Sequence, residues 1–353
     1  IFWPDREYQA NMEILVAGCG TNQAAVIAYT NPTAHVVAVD VSAHSLDHHR
    51  HLAGRYGLVN LELHRLPIEE ITSLEQEFDL IISTGVLHHL ADPDAGLRSL
   101  AKCLRPNGVL ALMLYASYGR LGVEIMQSIF GDLGLGRNEP SLAMIRDAVR
   151  QVNPEHPLVG YLRIANDMTD DAGLVDTFVH ARERSYTIDE CREFVESAGL
   201  IFQDLFLKSP YYPPAGSGSD FLAWISTMPR ELQWSVMERL NTLNACHFFM
   251  ACRSDRPRQD YAIDLGSQHA VDYVPALRHG CRLEGDLLVK AGGRIQLQLW
   301  QREVLQQVDG VRSIGAITTG LPEELAARKW FTELWQQDYL AMGLPSAKGT
   351  NLH

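Results

Sequence analysis

Glycine and aspartate residues near the start of the chain have the types and spacing that nucleotide cofactors require. Glu13-Ile14-Leu15-Val16-Ala17-Gly18-Cys19-Gly20-Thr21-Asn22-Gln23 leads from an apolar run through a glycine turn into an alanine-rich segment. Because Gly18 and Gly20 lack a Cβ, the backbone can turn sharply there and bring its N–H groups close to a ligand. Asp40 ends the next apolar run, where a carboxylate accepts hydrogen bonds from the hydroxyls of an adenosine ribose.

Two further segments extend this candidate cofactor site. Leu66-Pro67-Ile68 follows a third apolar run, and we expect Ile68 and Val41 to flank an adenine ring. Thr84-Gly85-Val86 follows a fourth run. The predicted cofactor contacts are Ala17, Gly18, Cys19, Gly20, Asn22, Gln23, Asp40, Val41, Leu66, Pro67, Ile68, Thr84, Gly85 and Val86.

The elements that position these residues follow from an alternation of strand-like and helix-like stretches, which predicts a parallel sheet with helices on both faces. Strands are expected at residues 12–17, 34–39, 61–64, 78–83 and 109–114, and helices at 23–29, 43–56, 69–75 and 93–104. Pro106-Asn107-Gly108 is the expected turn into the fifth strand. The fold class predicted here is α/β, a doubly wound Rossmann-like sheet.

After Tyr115 the pattern becomes helical. Residues 119–180 have apolar residues at helical spacing and predict a helical lid over the carboxyl edge of the sheet. Thr187 and Glu190 predict a capping box for a helix at 188–198. The remaining expected elements of a seven-stranded domain at 1–253 are a strand at 201–207, a second insertion at 209–245 and a last strand at 246–252.

A second, smaller domain is predicted beyond a linker at 254–262. Residues 263–353 contain short strand-like segments, then helices, the last of them at 323–341. The sequence Asp309-Gly310-Val311-Arg312-Ser313-Ile314 resembles small winged-helix modules, which implies a peptide or protein acceptor, or a homodimer. The alternative is a packing module without a ligand.

Composition narrows the class of protein and of partner. The chain has 353 residues, 46% of them hydrophobic, and a formal net charge of −13, which argues against a nucleic-acid partner. No apolar run approaches the roughly 20 residues that span a bilayer, so we expect no membrane partner. Six cysteines are scattered without a Cys-x-x-Cys pair, which favours reduced thiols and a cytoplasmic location.

Two cofactors fit a glycine turn of this kind, and the motifs favour one of them. A nicotinamide fingerprint needs a third glycine where Gln23 stands. Taken together, six motifs of this chain resemble class I S-adenosylmethionine-dependent methyltransferases. They are Ala17-Gly18-Cys19-Gly20-Thr21, Asp40, Leu66-Pro67, Phe78-Asp79-Leu80-Ile81, Val86-Leu87-His88-His89-Leu90 and Leu104-Arg105-Pro106-Asn107-Gly108-Val109.

The resemblance covers about residues 10–115 and 186–252, and it implies S-adenosyl-L-methionine as cofactor, S-adenosyl-L-homocysteine as product and an antiparallel last strand. Members of this class commonly carry an acidic residue where Val16 stands and a glycine where Asn22 stands. We therefore expect Asn22 and Gln23 to contact the methionine end of the cofactor.

Residues for the methyl acceptor are expected at the carboxyl edge of the sheet and in the lid. We predict catalytic roles for His89, as a base near neutral pH, and for Tyr118. Predicted acceptor contacts are His88, Tyr115, Arg120, His180, Arg182 and Tyr186. The alternatives are that the His-His pair orders its loop and that Tyr118 and Arg120 pin the lid. His48, His49 and His51 indicate a solvated helix face, and no metal site is expected.

The sequence therefore predicts a methyltransferase whose acceptor is a small molecule or a peptide. One alternative is a catalytically silent S-adenosylmethionine-binding scaffold that recruits a partner through its C-terminal domain. The other is a nicotinamide-dependent Rossmann enzyme.

Overall fold

The computed structural model of the protein describes residues 1–6, 9–165, 171–180, 182–214 and 216–344. Its contacts divide the chain into two compact units. The larger unit comprises Ala10–Phe202 and Arg230–Arg253. The smaller unit comprises Ile1–Gln9, Gln203–Pro229 and Ser254–His353. It thus contains the predicted C-terminal domain together with two earlier segments, and the domain boundaries at 253 and 263 stay a prediction.

A seven-stranded sheet runs in the order β3-β2-β1-β4-β5-β7-β6. Its strands are β1 (Glu13–Ala17), β2 (His35–Asp40), β3 (Leu61–Arg65), β4 (Phe78–Thr84), β5 (Leu104–Tyr115), β6 (Leu200–Leu205) and β7 (Cys246–Arg253). Neighbours from β3 to β5 pair in parallel, and β7 pairs antiparallel with β5. The predicted Rossmann-like sheet with an antiparallel last strand is confirmed. Almost every side chain of β1 and β2 is buried, as expected for strands covered by helices on both faces.

The helices of the described residues follow in chain order. They are α1 (Gln23–Thr30), α2 (Ala43–Tyr56), α3 (Pro93–Lys102), α4 (Leu121–Asp132), α5 (Glu139–Gln151), α6 (Leu158–Leu162), α7 (Asp171–Phe178), α8 (Ile188–Ser197), α9 (Asp220–Ile225), α10 (Arg230–Leu240), α11 (Leu299–Leu305), α12 (Ile314–Thr318) and α13 (Glu324–Gln336).

Local capping chemistry sets the ends of two helices that lead to the site. At α2 the Ser42 side chain accepts from the Ser45 N–H, and the helix ends at Gly57 with φ 65°. At α8 both hydrogen bonds of the capping box between Thr187 and Glu190 are present, as predicted.

Helices α4 to α7 form the predicted helical insertion after β5, with an apolar core of their own. Val123 and Phe130 of α4 are buried against Ile145 of α5, Leu158 of α6 and Leu174 of α7. A Cβ on Gly122 would lie 2.1 Å from the Leu158 N atom, so α4 and α6 touch through their backbones. Only glycine allows this approach.

Two predicted elements of the larger unit differ clearly from the structure. Strand β5 begins at Leu104, before the predicted turn at Pro106-Asn107-Gly108. Phe78 pairs with Leu104 whereas Leu80 pairs with Val109, so the turn is absorbed as a bulge within the strand. The helix predicted at 69–75 is a 3₁₀ helix over Ile68–Leu74.

In the smaller unit the chain forms β8 (Val274–Leu277), β9 (Arg282–Glu284), β10 (Leu287–Lys290), β11 (Gly293–Gln296) and β12 (Leu340–Gly343). The prediction that the last helix extends to residue 341 is wrong, because α13 ends at Gln336 and β12 pairs antiparallel with β8. Asp338 breaks the helix with φ 61°, and its carboxylate accepts the N–H groups of Lys208 and Ser209. The winged-helix resemblance stays a prediction.

The segment predicted as a linker is packed into the smaller unit. The Arg256 side chain is buried, where its guanidinium donates to the Asp5 carboxylate and to Gln203 Oε1. Tyr261 is also buried. A buried guanidinium needs such partners, so residues 254–262 are not a free linker. None of the helices in the described ranges combines the length and apolar character needed to cross a membrane.

A buried carboxyl group predicts a pH dependence of stability. Glu238 of α10 accepts the Ile188 N–H at 2.6 Å, and burial raises its pKa to about 7. Below the unfolded value of 4.5 both states are protonated; above it the unfolded state releases this proton first, so unfolding becomes easier as pH rises towards 7.

We therefore expect Glu238→Gln to gain about 1–3 kcal/mol in unfolding free energy relative to the unmodified protein between about pH 4 and about pH 8. Urea titrations across this range measure the difference. Glu231→Gln, at a half-exposed position of the same helix, is the matched control and is expected to show no such trend. Parallel pH profiles for Glu238→Gln and the unmodified protein would contradict the assignment.

Candidate cofactor and acceptor site

The Asp40 carboxylate joins the ends of β1 and β2. Its Oδ2 accepts the Gly20 N–H at 3.0 Å, and its Oδ1 accepts the Ser42 N–H at 2.8 Å. The Gly18 and Cys19 N–H groups both donate to the Val39 carbonyl, so the glycine turn bends over the end of β2. Each carboxylate oxygen keeps a lone pair for a further donor such as a ribose hydroxyl.

The two glycines of the turn have different roles. Gly18 has φ 75°, and a Cβ there would lie 2.4 Å from Val86 Cγ2, so the Val86 side chain occupies that space. Gly20 has φ 55°, and a Cβ there would meet nothing within 4 Å. The turn is closed against Val86 on one side and open at Gly20. An open glycine turn beside a fixed carboxylate suits a cofactor.

Gln23 and Thr84 connect the start of α1 to the end of β4. Gln23 Nε2 donates to Thr84 Oγ1 at 3.2 Å. Asn22, Gly20 and Thr21 are exposed, whereas Ala17 and Cys19 are buried. Burial raises the pKa of the Cys19 thiol to about 12, so this thiol stays protonated at neutral pH and acts as a packing residue.

His49 lies beneath the turn, contrary to the expectation of a solvated helix face. It is fully buried, and its Nε2 lies 3.5 Å from the Cys19 carbonyl oxygen, while His48 and His51 are exposed. Burial lowers the pKa of His49. Within the described ranges no group of three or more His, Cys, Asp or Glu side chains is arranged to hold a metal ion.

The apolar residues that are predicted to flank the adenine ring are partly accessible. Val41 is 62% exposed next to Asp40, and Leu66 and Pro67 are half-buried. Ile68 is 4% exposed and faces Gly96 of α3. Of the predicted apolar contacts, Val41 is therefore the most open to a ligand, and contact between Ile68 and adenine stays a prediction.

The predicted acceptor residues come together at the carboxyl ends of β4 and β5. The rings of His88 and Tyr115 lie 3.9 Å apart, those of His88 and His89 lie 4.3 Å apart, and those of His89 and His180 lie 3.9 Å apart. Arg182 joins this cluster through its carbonyl oxygen, which lies 3.0 Å from His89 Nδ1. Five predicted residues thus form one cluster of rings and polar atoms.

His89 and His88 differ in what they can do. A carbonyl oxygen only accepts hydrogen bonds, so His89 Nδ1 carries a proton, and the Nε2 lone pair remains for a base. Burial lowers the pKa of His89, which keeps the ring neutral. His88 is 1% exposed, and burial lowers its pKa to about 2. This burial favours the alternative that the His-His pair orders its loop, and an acceptor contact for His88 stays a prediction.

The Arg120 side chain is buried and bound by other side chains of the protein. Its guanidinium is 2.6 Å from Glu183 Oε1 and 3.6 Å from the Tyr115 ring centroid, and its side chain is 1% exposed. Its Nη1 also donates to the Tyr161 hydroxyl at 3.2 Å. This geometry favours the alternative that Arg120 pins the lid over the prediction that it contacts the acceptor.

The remaining predicted residues lie at the border of this cluster. Tyr186 is fully buried with its N–H donating to the Tyr115 carbonyl, so its burial does not support an acceptor contact. Tyr118 is 38% exposed in the loop before α4, and its catalytic role stays a prediction. The Tyr115 hydroxyl donates to Asp176 Oδ2 at 3.4 Å.

Sequence reasoning missed Glu183 and the polar residues Gln127, Tyr161 and Asp176 around it. Glu183 Oε1 accepts from Arg120 and also from Gln127 Nε2 at 3.1 Å. Asp176 and Tyr161 complete the polar contacts of the cluster. They come from α4, α6, α7 and the segment before α8, and no motif or periodicity links residues so far apart in the chain. A buried Arg120 would have implied an acidic partner, but burial of arginine is not visible in the sequence.

The contact between Gly18 and Val86 predicts a graded effect of added side chains on stability. We expect Gly18→Ala to lower the unfolding free energy by about 1–3 kcal/mol more than Gly20→Ala, because both have positive φ but only Gly18 clashes. Val86→Ala in the Gly18→Ala background should recover part of the loss. Denaturant unfolding measures each value. Equal losses for the two glycines would show that Val86 does not close the turn.

Comparison with known proteins agrees with this architecture. A family model described as a methyltransferase domain matches residues 15–110. An uncharacterized protein of Synechococcus is 31% identical over 272 residues, which cover 73% of this chain and 64% of that protein. The tRNA 5-carboxymethoxyuridine methyltransferase of Escherichia coli is 30% identical over 148 residues, covering 41% of this chain and 54% of the enzyme. The chain thus spans between about half and two thirds of the length of these relatives.

Solved structures show the same fold over nearly the whole chain. PKMT2 from Rickettsia typhi has a TM-score of 0.68 and 14% identity, covering 97% of this chain and 74% of that chain. The same protein was also solved in complex with AdoHcy. At this identity the likeness shows the fold. Residues 15–110 match the family model of a methyltransferase domain, and the chain has the fold of class I S-adenosylmethionine-dependent methyltransferases.

Proposed function

We propose that this protein is an enzyme that transfers a methyl group from S-adenosyl-L-methionine to a small-molecule or peptide acceptor. The observation that carries the proposal is the Asp40 carboxylate, fixed by the Gly20 and Ser42 N–H groups beside an open glycine turn. A carboxylate so placed accepts ribose hydroxyls, and the exposed Val41 next to it suits an adenine face.

The residues present fit this cofactor. Asp40 holds the ribose, and the turn from Gly18 to Gln23 holds the methionine end. Gln23 is oriented by its hydrogen bond to Thr84 at the end of β4. When bound, the cofactor supplies an electrophilic methyl group on a sulfonium.

This chain's own residues supply alignment and a proton acceptor. The lid helices α4 to α7 pack on an apolar core of their own next to the cluster, and an apolar cover of this kind favours a displacement at a charged centre. His89, neutral and with its Nε2 lone pair available, takes the proton that an O–H or N–H acceptor loses. A general base of this kind typically contributes about 10²–10⁴ in rate.

Several relatives of this chain are methyltransferases with different acceptors, which supports methyl transfer as the activity of this chain. Their names include a malonyl-[acyl-carrier protein] O-methyltransferase and a trans-aconitate 2-methyltransferase besides the tRNA enzyme. The net charge of −13 favours a small molecule or a peptide over a nucleic acid for this chain.

Calorimetry of ligand binding tests the cofactor assignment. We expect S-adenosylhomocysteine to bind the unmodified chain and Asp40→Asn to weaken this binding about tenfold or more, because charge-assisted hydrogen bonds to the ribose are lost. Asp47→Asn, an exposed aspartate on α2, is the matched control. Binding of NAD without a response to S-adenosylmethionine or S-adenosylhomocysteine would instead establish a nicotinamide enzyme.

Turnover separates an enzyme from a silent scaffold. We expect the unmodified protein to release S-adenosylhomocysteine when given S-adenosylmethionine and a cell extract, and His89→Gln to lose most of this release while still binding S-adenosylhomocysteine. Product release is followed by mass spectrometry, with extract pretreated by ribonuclease or protease to identify the acceptor class. Binding without release in any extract would favour the scaffold.

A further inference from the structure

The segment of residues 182–186, here named the strap, crosses the carboxyl edge of the sheet between the lid and α8. Its Arg184 N–H donates to the His88 carbonyl at 3.1 Å, and its Tyr186 N–H donates to the Tyr115 carbonyl at 2.8 Å. The strap is therefore hydrogen-bonded to both strand ends that carry the cluster.

The Arg182 carbonyl at one end of the strap is shared by two histidines. His89 Nδ1 lies 3.0 Å from this oxygen and His180 Nδ1 lies 2.6 Å from it. No hydrogen bond from the described part of the chain reaches His89 Nε2. The position of one backbone oxygen thus decides which nitrogen of His89 carries the proton.

Glu183 follows Arg182 directly, and its buried side chain holds the Arg182 end of the strap in place. Its side chain is 7% exposed, and Oε1 accepts from both Arg120 and Gln127 of the lid. Arg120 in turn lies over the Tyr115 ring, and Tyr115 stacks on His88. One ion pair therefore connects the strap, the lid and the rings next to His89.

We propose that Glu183 is a positioning residue for the base: by pairing with Arg120 it fixes the Arg182 carbonyl, which holds His89 as the Nδ1–H tautomer with the Nε2 lone pair available. The proposal rests on the proposed function only because that function makes His89 the general base. The tautomer of His89 can be measured whether or not the protein transfers methyl groups. A carbonyl that orients a catalytic histidine through its second nitrogen is an established device in enzymes.

Nitrogen-detected NMR of the imidazole rings tests the proposal without an acceptor. In the ¹⁵N-labelled protein, with the His89 signals assigned by their loss in His89→Gln, we expect the Nδ1–H tautomer of His89 to dominate. Glu183→Gln should shift His89 towards the Nε2–H tautomer, since the carbonyl is no longer held. Glu193→Gln, an exposed glutamate on α8, is the matched control and should leave the tautomer unchanged.

A second variant covers the case in which Glu183→Gln does not fold because Arg120 is left buried and unpaired. The double variant Arg120→Met with Glu183→Leu replaces the pair by apolar groups, and it should show the same tautomer shift. An unchanged His89 tautomer in either folded variant, or an Nε2–H tautomer in the unmodified protein, would overturn the proposal. Calorimetry with S-adenosylhomocysteine on the same samples tests the proposed function separately, because Glu183 lies outside the predicted cofactor contacts.

Discussion

The hydrogen bond from the Gly20 N–H to the Asp40 carboxylate is the constraint on which the site depends. It joins the turn after β1 to the end of β2, and the same carboxylate caps the Ser42 N–H at the start of α2. Backbone N–H groups at a turn and at the start of a helix stabilise the negative charge of this half-exposed carboxylate. The packing of Val86 on Gly18 then fixes the end of β4 against this turn. Three strand ends are thereby held in one arrangement.

A second constraint acts on the carboxyl edge of the sheet next to β5, where a side-chain ion pair rather than a backbone turn holds the residues in place. The Arg120–Glu183 pair is almost fully buried, so removal of either partner would leave a buried charge. Such a pair is not needed for stability as such, since apolar packing can replace it. The pair lies beside Tyr115, and its contacts orient the rings around His89, the proposed base.

The sequence predicts what local chemistry determines. Helix α2 has the predicted bounds of 43–56 because Ser42 caps its start and Gly57 its end. The Thr187–Glu190 capping box follows from the same short-range rules, whereas β2 and β4 each extend one residue beyond the predicted strands, to Asp40 and Thr84. Long-range contacts override those rules elsewhere: Asp338 ends α13 because its carboxylate binds N–H groups from residues 208 and 209, and Arg256 is packed because Asp5 is its partner. Glu183 was missed for the same reason, since its partners Arg120 and Gln127 lie far earlier in the chain, at the start of and within α4.

In the arrangement proposed here, Asp40 and the open turn at Gly20 form a site for S-adenosyl-L-methionine. A crystal structure of the protein with S-adenosylhomocysteine tests it most directly. The arrangement of the turn predicts ribose hydroxyls within hydrogen-bond distance of the Asp40 carboxylate, the homocysteine end over the turn from Gly18 to Gln23, and the sulfur facing the His89 cluster. A structure in which the ligand lies elsewhere, or in which Asp40 contacts only the Gly20 and Ser42 N–H groups, would contradict it.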